Sequence, residues 1–333
     1  TDIDTTVSIW GLIKGLFSSQ PYNVQRFWSP AFADLLARLL REQDYDIVQL
    51  EGSYMSLYSA VIRQHSKARL VLRAHNVEHQ IWDRLARQVR AVAQRRYLQN
   101  MTAKIKRFEL NHLQDYDAII PISGEDAQYY QQAGFMGQVH TINGAVDLSR
   151  FPHPNLNFRP SIAFLGSLEW LPNVEGLHWL LKEVWPTIAR RHLQATLHVA
   201  GKGSPVTRLL PQADRVVLHG QVPDAAEFLS AHHIFVVPLH SGGGMRMKIV
   251  EAMGAGMCVL STSIGAEGIA YTDGVDIVIA DSAEAWIHAL DLLLSDTATT
   301  RRIAAAGRAL AAERYSTEAL APQFEAVYGG LLR

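Results

Sequence analysis

Asp44-Tyr45-Asp46-Ile47-Val48-Gln49-Leu50-Glu51-Gly52-Ser53 begins with a polar phrase, runs through a largely apolar stretch and stops at Gly-Ser. The phrase returns as Asp115-Tyr116-Asp117, followed by Ala118-Ile119-Ile120 and then Ile122-Ser123-Gly124, and Ala68 to Arg73 supplies another apolar run between the two. Short, near-continuous apolar runs separated by long helical patterns are what a parallel sheet covered on both faces requires, because neither side of its strands meets water. A helix-like segment ending near Arg41 precedes the first run. The first half of the chain is therefore α/β.

Working outward, Phe151 to Pro160 carries three prolines and two asparagines without periodicity and reads as a linker. Beyond it the alternation restarts, with strand-like runs at Ser161 to Leu165, Ala195 to Ala200, Arg215 to Leu218, Ile234 to Leu239, Met257 to Leu260 and Asp276 to Ile279. The pattern predicts an α/β fold of two Rossmann-like doubly wound domains facing a cleft. The expected limits are 1–152 for the first domain, 153–315 for the second, and 316–333 for a terminal helix that packs back on the first.

A length of 333 residues suits two domains, and 48% apolar against 19% charged residues is the balance of a globular protein. The formal net charge of -1 predicts no bulk attraction to nucleic acid. With Cys258 as the single cysteine, an internal disulfide and a cysteine-based zinc site are both excluded. No run approaches the roughly 18 apolar residues that span a bilayer, and no basic-then-apolar leader opens the sequence, so a soluble cytoplasmic chain, at most peripherally membrane-bound, is expected.

The chemistry concentrates in Gly242-Gly243-Gly244-Met245-Arg246-Met247-Lys248-Ile249-Val250-Glu251-Ala252-Met253-Gly254-Ala255-Gly256, just ahead of the run Met257 to Leu260. Three glycines let backbone amides approach an anion. A helix starting after them would add its unpaired amides and positive end, and Arg246 and Lys248 would place two full charges on its first turn. Further along, the Glu251 carboxylate could accept hydrogen bonds from a vicinal diol such as a ribose. Together these predict a nucleoside-diphosphate pocket; the bland alternative is a glycine-rich loop before a surface helix. No His-Glu-x-x-His or Gly-x-Ser-x-Gly pattern supports a zinc protease or serine hydrolase.

Glu251-Ala252-Met253 with Ala255-Gly256, then Val259, Leu260, Ser261 and Thr262, resembles the second glutamate of the Glu-x7-Glu signature of retaining GT-B glycosyltransferases, in particular family 4 of bacterial sugar transferases. Further matches follow in the family's order: His75-Asn76-Val77-Glu78, Ser123, Asn143-Gly144-Ala145-Val146-Asp147, Gly166-Ser167-Leu168, Gly201-Lys202-Gly203 and Gly220-Gln221-Val222. The resemblance implies catalytic roles for Glu251, on the donor ribose, and for His75, near the transferred sugar; the reading of the glycine loop adds Arg246 and Lys248 to them. It implies donor contacts from Gly166, Gly201, Gly220, Val222, Gly242, Gly243, Gly244, Ile249 and Val250. In two places the sequence departs from the pattern. The signature's leading glutamate falls at Gly243, and the family's arginine and lysine after the opening strand of the second domain are replaced around Ser167 and Asn173. Arg246 and Lys248 are the candidates for restoring that charge.

The function implied is hexosyl transfer, with retention, from a nucleoside-diphosphate sugar to a saccharide or lipid-linked acceptor in cell-surface polysaccharide assembly. The resemblance calls for no metal and no further cofactor, because the leaving diphosphate itself takes the acceptor's proton. Arg84, Arg87, Arg90, Arg95, Arg96, Lys104, Lys106 and Arg107 could rest on anionic lipid, or could form a solvated helix face. The family's opening strand and glycine-rich loop find no counterpart before Ile47, so an N-terminal piece is expected to be missing and activity of the chain alone is in question. An inactive nucleotide-binding partner subunit and a GT-B nucleotide-sugar epimerase are the alternatives.

Overall fold

The structure is a computed structural model that describes residues 18, 20–89, 91–151, 161–203, 213–242 and 244–333. The chain forms two compact units, one taking in residues up to Asn143 together with Pro322–Arg333, the other Gly144–Ala321. Among the described residues no helix is long and apolar enough to cross a membrane.

In the first unit β1 (Ile47–Glu51), β2 (Arg69–Ala74), β3 (Ala118–Pro121) and β4 (Gln138–Val139) form a sheet in that order, parallel throughout. Helices α1 (Tyr22–Gln25), α2 (Pro30–Glu42), α3 (Ser59–His65), α4 (Glu78–Gln88), α5 (Val92–Asn111) and α6 (Gly124–Gln132) accompany it. Leu70, Val71, Leu72, Ala118, Ile119 and Ile120 are fully or almost fully buried, which is why these strands read as unbroken apolar runs. The recurring Asp-Tyr-Asp phrase has a physical reason at its second copy. The Asp117 carboxylate accepts from the Leu70 amide at 2.8 Å and from Arg63 and Arg69, pinning the start of β3 to β2.

Arg73 lies inside this unit with only 6% of its surface exposed. Its guanidinium donates to the carbonyls of Ile142 (2.5 Å), Asn143 (2.7 Å) and Ile120 (3.3 Å) and sits over the Phe324 ring. Phe324 belongs to α13 (Thr317–Leu331), whose Tyr328 hydroxyl donates to Gln49 on β1 at 2.5 Å. The terminal segment thus packs in the first unit, although it joins that unit at Pro322 rather than at residue 316.

The second unit contains β5 (Ser161–Leu165), β6 (Thr196–Ala200), β7 (Val216–Gly220), β8 (Ile234–Val237), β9 (Cys258–Ser261) and β10 (Val278–Ile279), parallel in the order β10-β9-β8-β5-β6-β7. Its helices are α7 (Leu171–Trp179), α8 (Trp185–Arg191), α9 (Ala225–Ser230), α10 (Met247–Gly254), α11 (Ala283–Ser295) and α12 (Thr297–Tyr315). A π-helical turn, Leu180–Val184, joins α7 to α8. Trp185, Trp286, Phe164 and Phe235 fill the core, and each indole N–H finds a carbonyl, of Asp214 at 2.8 Å and of Ala280 at 2.7 Å. The chain runs from β5 outward to β7 and then returns to the other side of β5 as β8, so the direction of winding reverses between β5 and β8.

The unit boundary falls at Asn143/Gly144, earlier than the 152/153 read from composition. Residues before the proline-rich stretch are committed to the second unit by hydrogen bonds to their backbone. The Val146 amide donates to the Tyr315 carbonyl at 2.7 Å, and Arg308 donates to the Phe151 carbonyl at 2.9 Å. Residues 152–160 lie outside the described residues.

Replacing Arg73 by leucine leaves the Ile142 and Asn143 carbonyls without that donor. A loss of about 2–4 kcal/mol is expected, read as a lower urea midpoint of the first unit's unfolding transition.

Candidate functional site

In a doubly wound sheet the loops on either side of the reversal diverge, and a crevice opens beyond the carboxyl ends of those two strands. Here these are the loop after β5, Gly166 to Trp170, and the loop after β8, Pro238 to Arg246. The first is braced by its neighbours, with the Gly166 amide donating to Ala200 (3.0 Å), Leu168 to Lys202 (2.7 Å) and Gly201 to Gly220 (2.7 Å). A Cβ on Gly201 would overlap the Gly166 carbonyl, so glycine at 201 is what allows the two loops to touch. Gly166, Gly201 and Gly220 thus share one edge of the second unit, and Val222 is half-buried in the loop that follows.

On the β8 side, Gly242 has φ +110° and Gly244 φ +82°, while Gly243 lies outside the described residues. A side chain on Gly242 would press on the Trp170 ring at 3.0 Å and on the Arg246 guanidinium. Helix α10 begins at Met247 with Arg246 as its N-cap residue. The Arg246 guanidinium turns back over its own loop, donating to the Gly244 carbonyl at 2.8 Å and lying 5.1 Å from the centre of the Trp170 ring. Lys248, second in the helix, donates from Nζ to Asn173 Oδ1 at 3.1 Å and lies 5.2 Å over the Phe164 ring. Asn173 is itself fixed, its amide donating to the Ser167 carbonyl at 2.8 Å. Burial, and then the nearby Arg246 charge, hold the Lys248 ammonium down to about 7.

One turn on, burial pushes the Glu251 carboxyl above the usual carboxylate range, opposed by Arg150, which pairs with Asp224 at 3.3 Å. Ile249 and Val250 are fully buried, so their side chains belong to the core. Arg246, Lys248, the glycine loop and the Gly166 loop are brought together. Trp170, Asn173 and Phe164, which hold the two cations, are the partners that the sequence did not mark. Two basic side chains beside a glycine loop and a helix start fit a phosphate-bearing ligand. Among the described residues no group of three or more His, Cys, Asp or Glu side chains is placed to hold a metal ion.

In the first unit, His75 follows the end of β2, and its Nε2 is 2.9 Å from Glu51 Oε2 at the end of β1. Glu78 opens α4 and accepts from the Tyr54 hydroxyl at 3.1 Å, and Trp82 donates to the same hydroxyl at 3.3 Å. Buried Glu109 accepts from the amides of Glu78 and His79 and lies 2.6 Å from His79 Nδ1. Burial, then the Glu109 charge, raises the Glu78 carboxyl to about 7. Ser123 caps α6 by accepting from the Asp126 amide at 3.1 Å. Glu78 and Ser123 therefore have structural duties of their own, while His75 and Glu51 are half-exposed.

Residues 15–150 match the model of Glycosyltransferase Family 4, and residues 159–296 match that of Glycosyl transferases group 1. The two units have the GT-B fold. A 44.6 kDa uncharacterized protein in the cps region of Klebsiella pneumoniae is 24% identical over 255 residues, which make up 73% of this chain and 63% of that protein. The chain thus spans less than two thirds of this relative. Sucrose-phosphate synthase from Thermosynechococcus elongatus superposes with a TM-score of 0.71 at 20% identity, covering 92% of this chain and 78% of the other. HepE of Anabaena, in complex with UDP and glucose, gives 0.66 at 16% identity over 90% and 81% of the two chains. These likenesses establish the fold.

A carboxyl whose value is raised on folding stabilises the fold below its unfolded value near 4.5 and loses that contribution as pH rises through about 7. Glu78→Gln should remove this dependence. Its urea midpoint is expected to gain on wild type between pH 5 and pH 8, and an unchanged difference would contradict the assignment.

Proposed function

We propose that the chain transfers a hexosyl group, with retention, from a nucleoside-diphosphate sugar to a saccharide or lipid-linked acceptor in cell-surface polysaccharide synthesis. The observation that carries the reading is the pair of cations, Arg246 and Lys248, held at the β5/β8 reversal beside a glycine loop and a helix start. The matched families and the UDP bound by HepE support it, as does the cps-region relative. Retention rests on the resemblance to family 4.

In this reading the bond from the sugar's anomeric carbon to the diphosphate oxygen breaks, and the acceptor oxygen bonds to the same face. The acceptor's proton passes to the departing diphosphate, so no metal and no further cofactor is called for. Negative charge accumulates on that leaving group, where the fixed Arg246 guanidinium, Lys248 and the loop amides stabilise it. Glu251 takes the ribose diol. His75, oriented by Glu51, hydrogen-bonds an oxygen of the reacting pair.

Peripheral membrane contact, on a cytoplasmic face, fits the exposed Arg95, Arg96, Lys106 and Arg107 of α5. Arg95 with Lys106 and Arg96 with Arg107 are each three turns apart on one side of the helix. Arg90 lies outside the described residues. Sedimentation with vesicles containing phosphatidylglycerol should show binding that salt abolishes; equal recovery with neutral vesicles would remove the membrane role.

Calorimetric titration with UDP, GDP and ADP tests the donor site. One nucleotide should bind, and Arg246→Ala and Glu251→Ala should each weaken it about 10–100-fold, the size of a lost charge-assisted hydrogen bond. Unchanged affinity in both variants would defeat the assignment.

A further inference from the structure

A buried ammonium keeps its proton at ordinary pH when a carboxylate or several good acceptors surround it. Lys248 has neither. From α7 it meets the neutral Asn173 Oδ1, and from β5 the face of the Phe164 ring. The loop after β5 carries Glu169, but that exposed carboxylate pairs with Lys202 at 3.6 Å and is not among the groups that act on Lys248. On its own helix the charged group that acts on it is the like-charged guanidinium of Arg246, and among the described residues no carboxylate is paired with it. The oxygen of Asn173 accepts a hydrogen bond from the ammonium and, more weakly, from the neutral amine, so the contact is available in either protonation state. A lysine can change charge under such pressure where an arginine cannot.

We propose that binding of a nucleoside diphosphate at the β8 loop takes up a proton at Lys248, so that the site gains its second full cation only when the ligand's negative charge arrives. This rests on the donor-site reading above. The proton comes from solvent, and the Lys248 amine becomes an ammonium paired with phosphate oxygens while Arg246 remains charged throughout. The depressed value of the free side chain, about 7, sets the window. Near pH 6 the free and bound forms are both protonated and little uptake occurs. At pH 8 the free amine is mostly neutral and the bound form charged, so uptake approaches one proton per site. Affinity for the diphosphate therefore falls as pH rises from 7 to 9.

The experiment is calorimetric titration of the full chain with UDP, GDP and ADP at pH 8, where their own phosphates are already ionised, in HEPES and in Tris. The dependence of the observed heat on buffer ionisation heat counts the protons taken up. Wild type should take up close to one proton. Lys248→Arg, charged at every pH, should bind the same nucleotide with uptake near zero, and Lys248→Met should bind it more weakly, also with none. Binding by wild type without uptake would overturn the proposal while leaving the donor site standing, as would equal uptake in wild type and Lys248→Arg. No binding of any of the three nucleotides, with thermal unfolding showing a cooperatively folded chain, would overturn the donor-site reading and the proposal with it.

Discussion

Backbone groups that leave a parallel sheet at its carboxyl edge must find partners outside the ladder, and where winding reverses they lack a neighbouring crossover to supply them. That constraint governs the second unit. The β5 loop solves it by hydrogen bonding sideways onto the end of β6 and the loop after it, which itself bonds to the end of β7, and the close approach demands glycine at 201, where the Gly166 carbonyl comes too close for a side chain. The β8 loop solves it with glycines at positive φ and an arginine folded back onto the Gly244 carbonyl. What remains is an edge that carries the start of α10 with Arg246 and Lys248 beside it, an arrangement that favours an anionic ligand.

Holding those cations in place has an electrostatic cost. Arg246 is only 9% exposed, and it rests on Trp170; Lys248 rests on Phe164 and Asn173. The aromatic face and the neutral amide position the Lys248 side chain without a carboxylate that would compete with a ligand for the same charge. The departure of the chain from the family pattern at Asn173 acquires a physical meaning here, because the Lys248 ammonium arrives 3.1 Å from that very side chain.

Much of the fold was legible because parallel strands buried on both faces must be continuously apolar. β2, β3, β5 and β8 were found this way, within a residue or two at the ends. The glycine loop and the helix behind it were equally legible, since glycine, arginine and lysine sit next to one another in sequence. The contacts that fix the charges were not, because Asn173 and Lys248 are 75 residues apart and nothing local marks either as the other's partner. Glu51 escaped for the same reason, being 24 residues from His75 on an adjoining strand. The unit boundary was misplaced because prolines mark where regular structure ends, whereas Val146 had already paired with Tyr315 by a backbone bond that leaves no trace in composition.

The most direct test of the central claim is amide hydrogen exchange with and without saturating UDP, or whichever of UDP, GDP and ADP binds. Exchange of the amides from Gly244 to Val250 and of those from Gly166 to Trp170 should slow on binding, with the sheet elsewhere unchanged. Nucleotide bound at full occupancy with unaltered exchange in both loops would contradict a diphosphate site at the β5/β8 reversal.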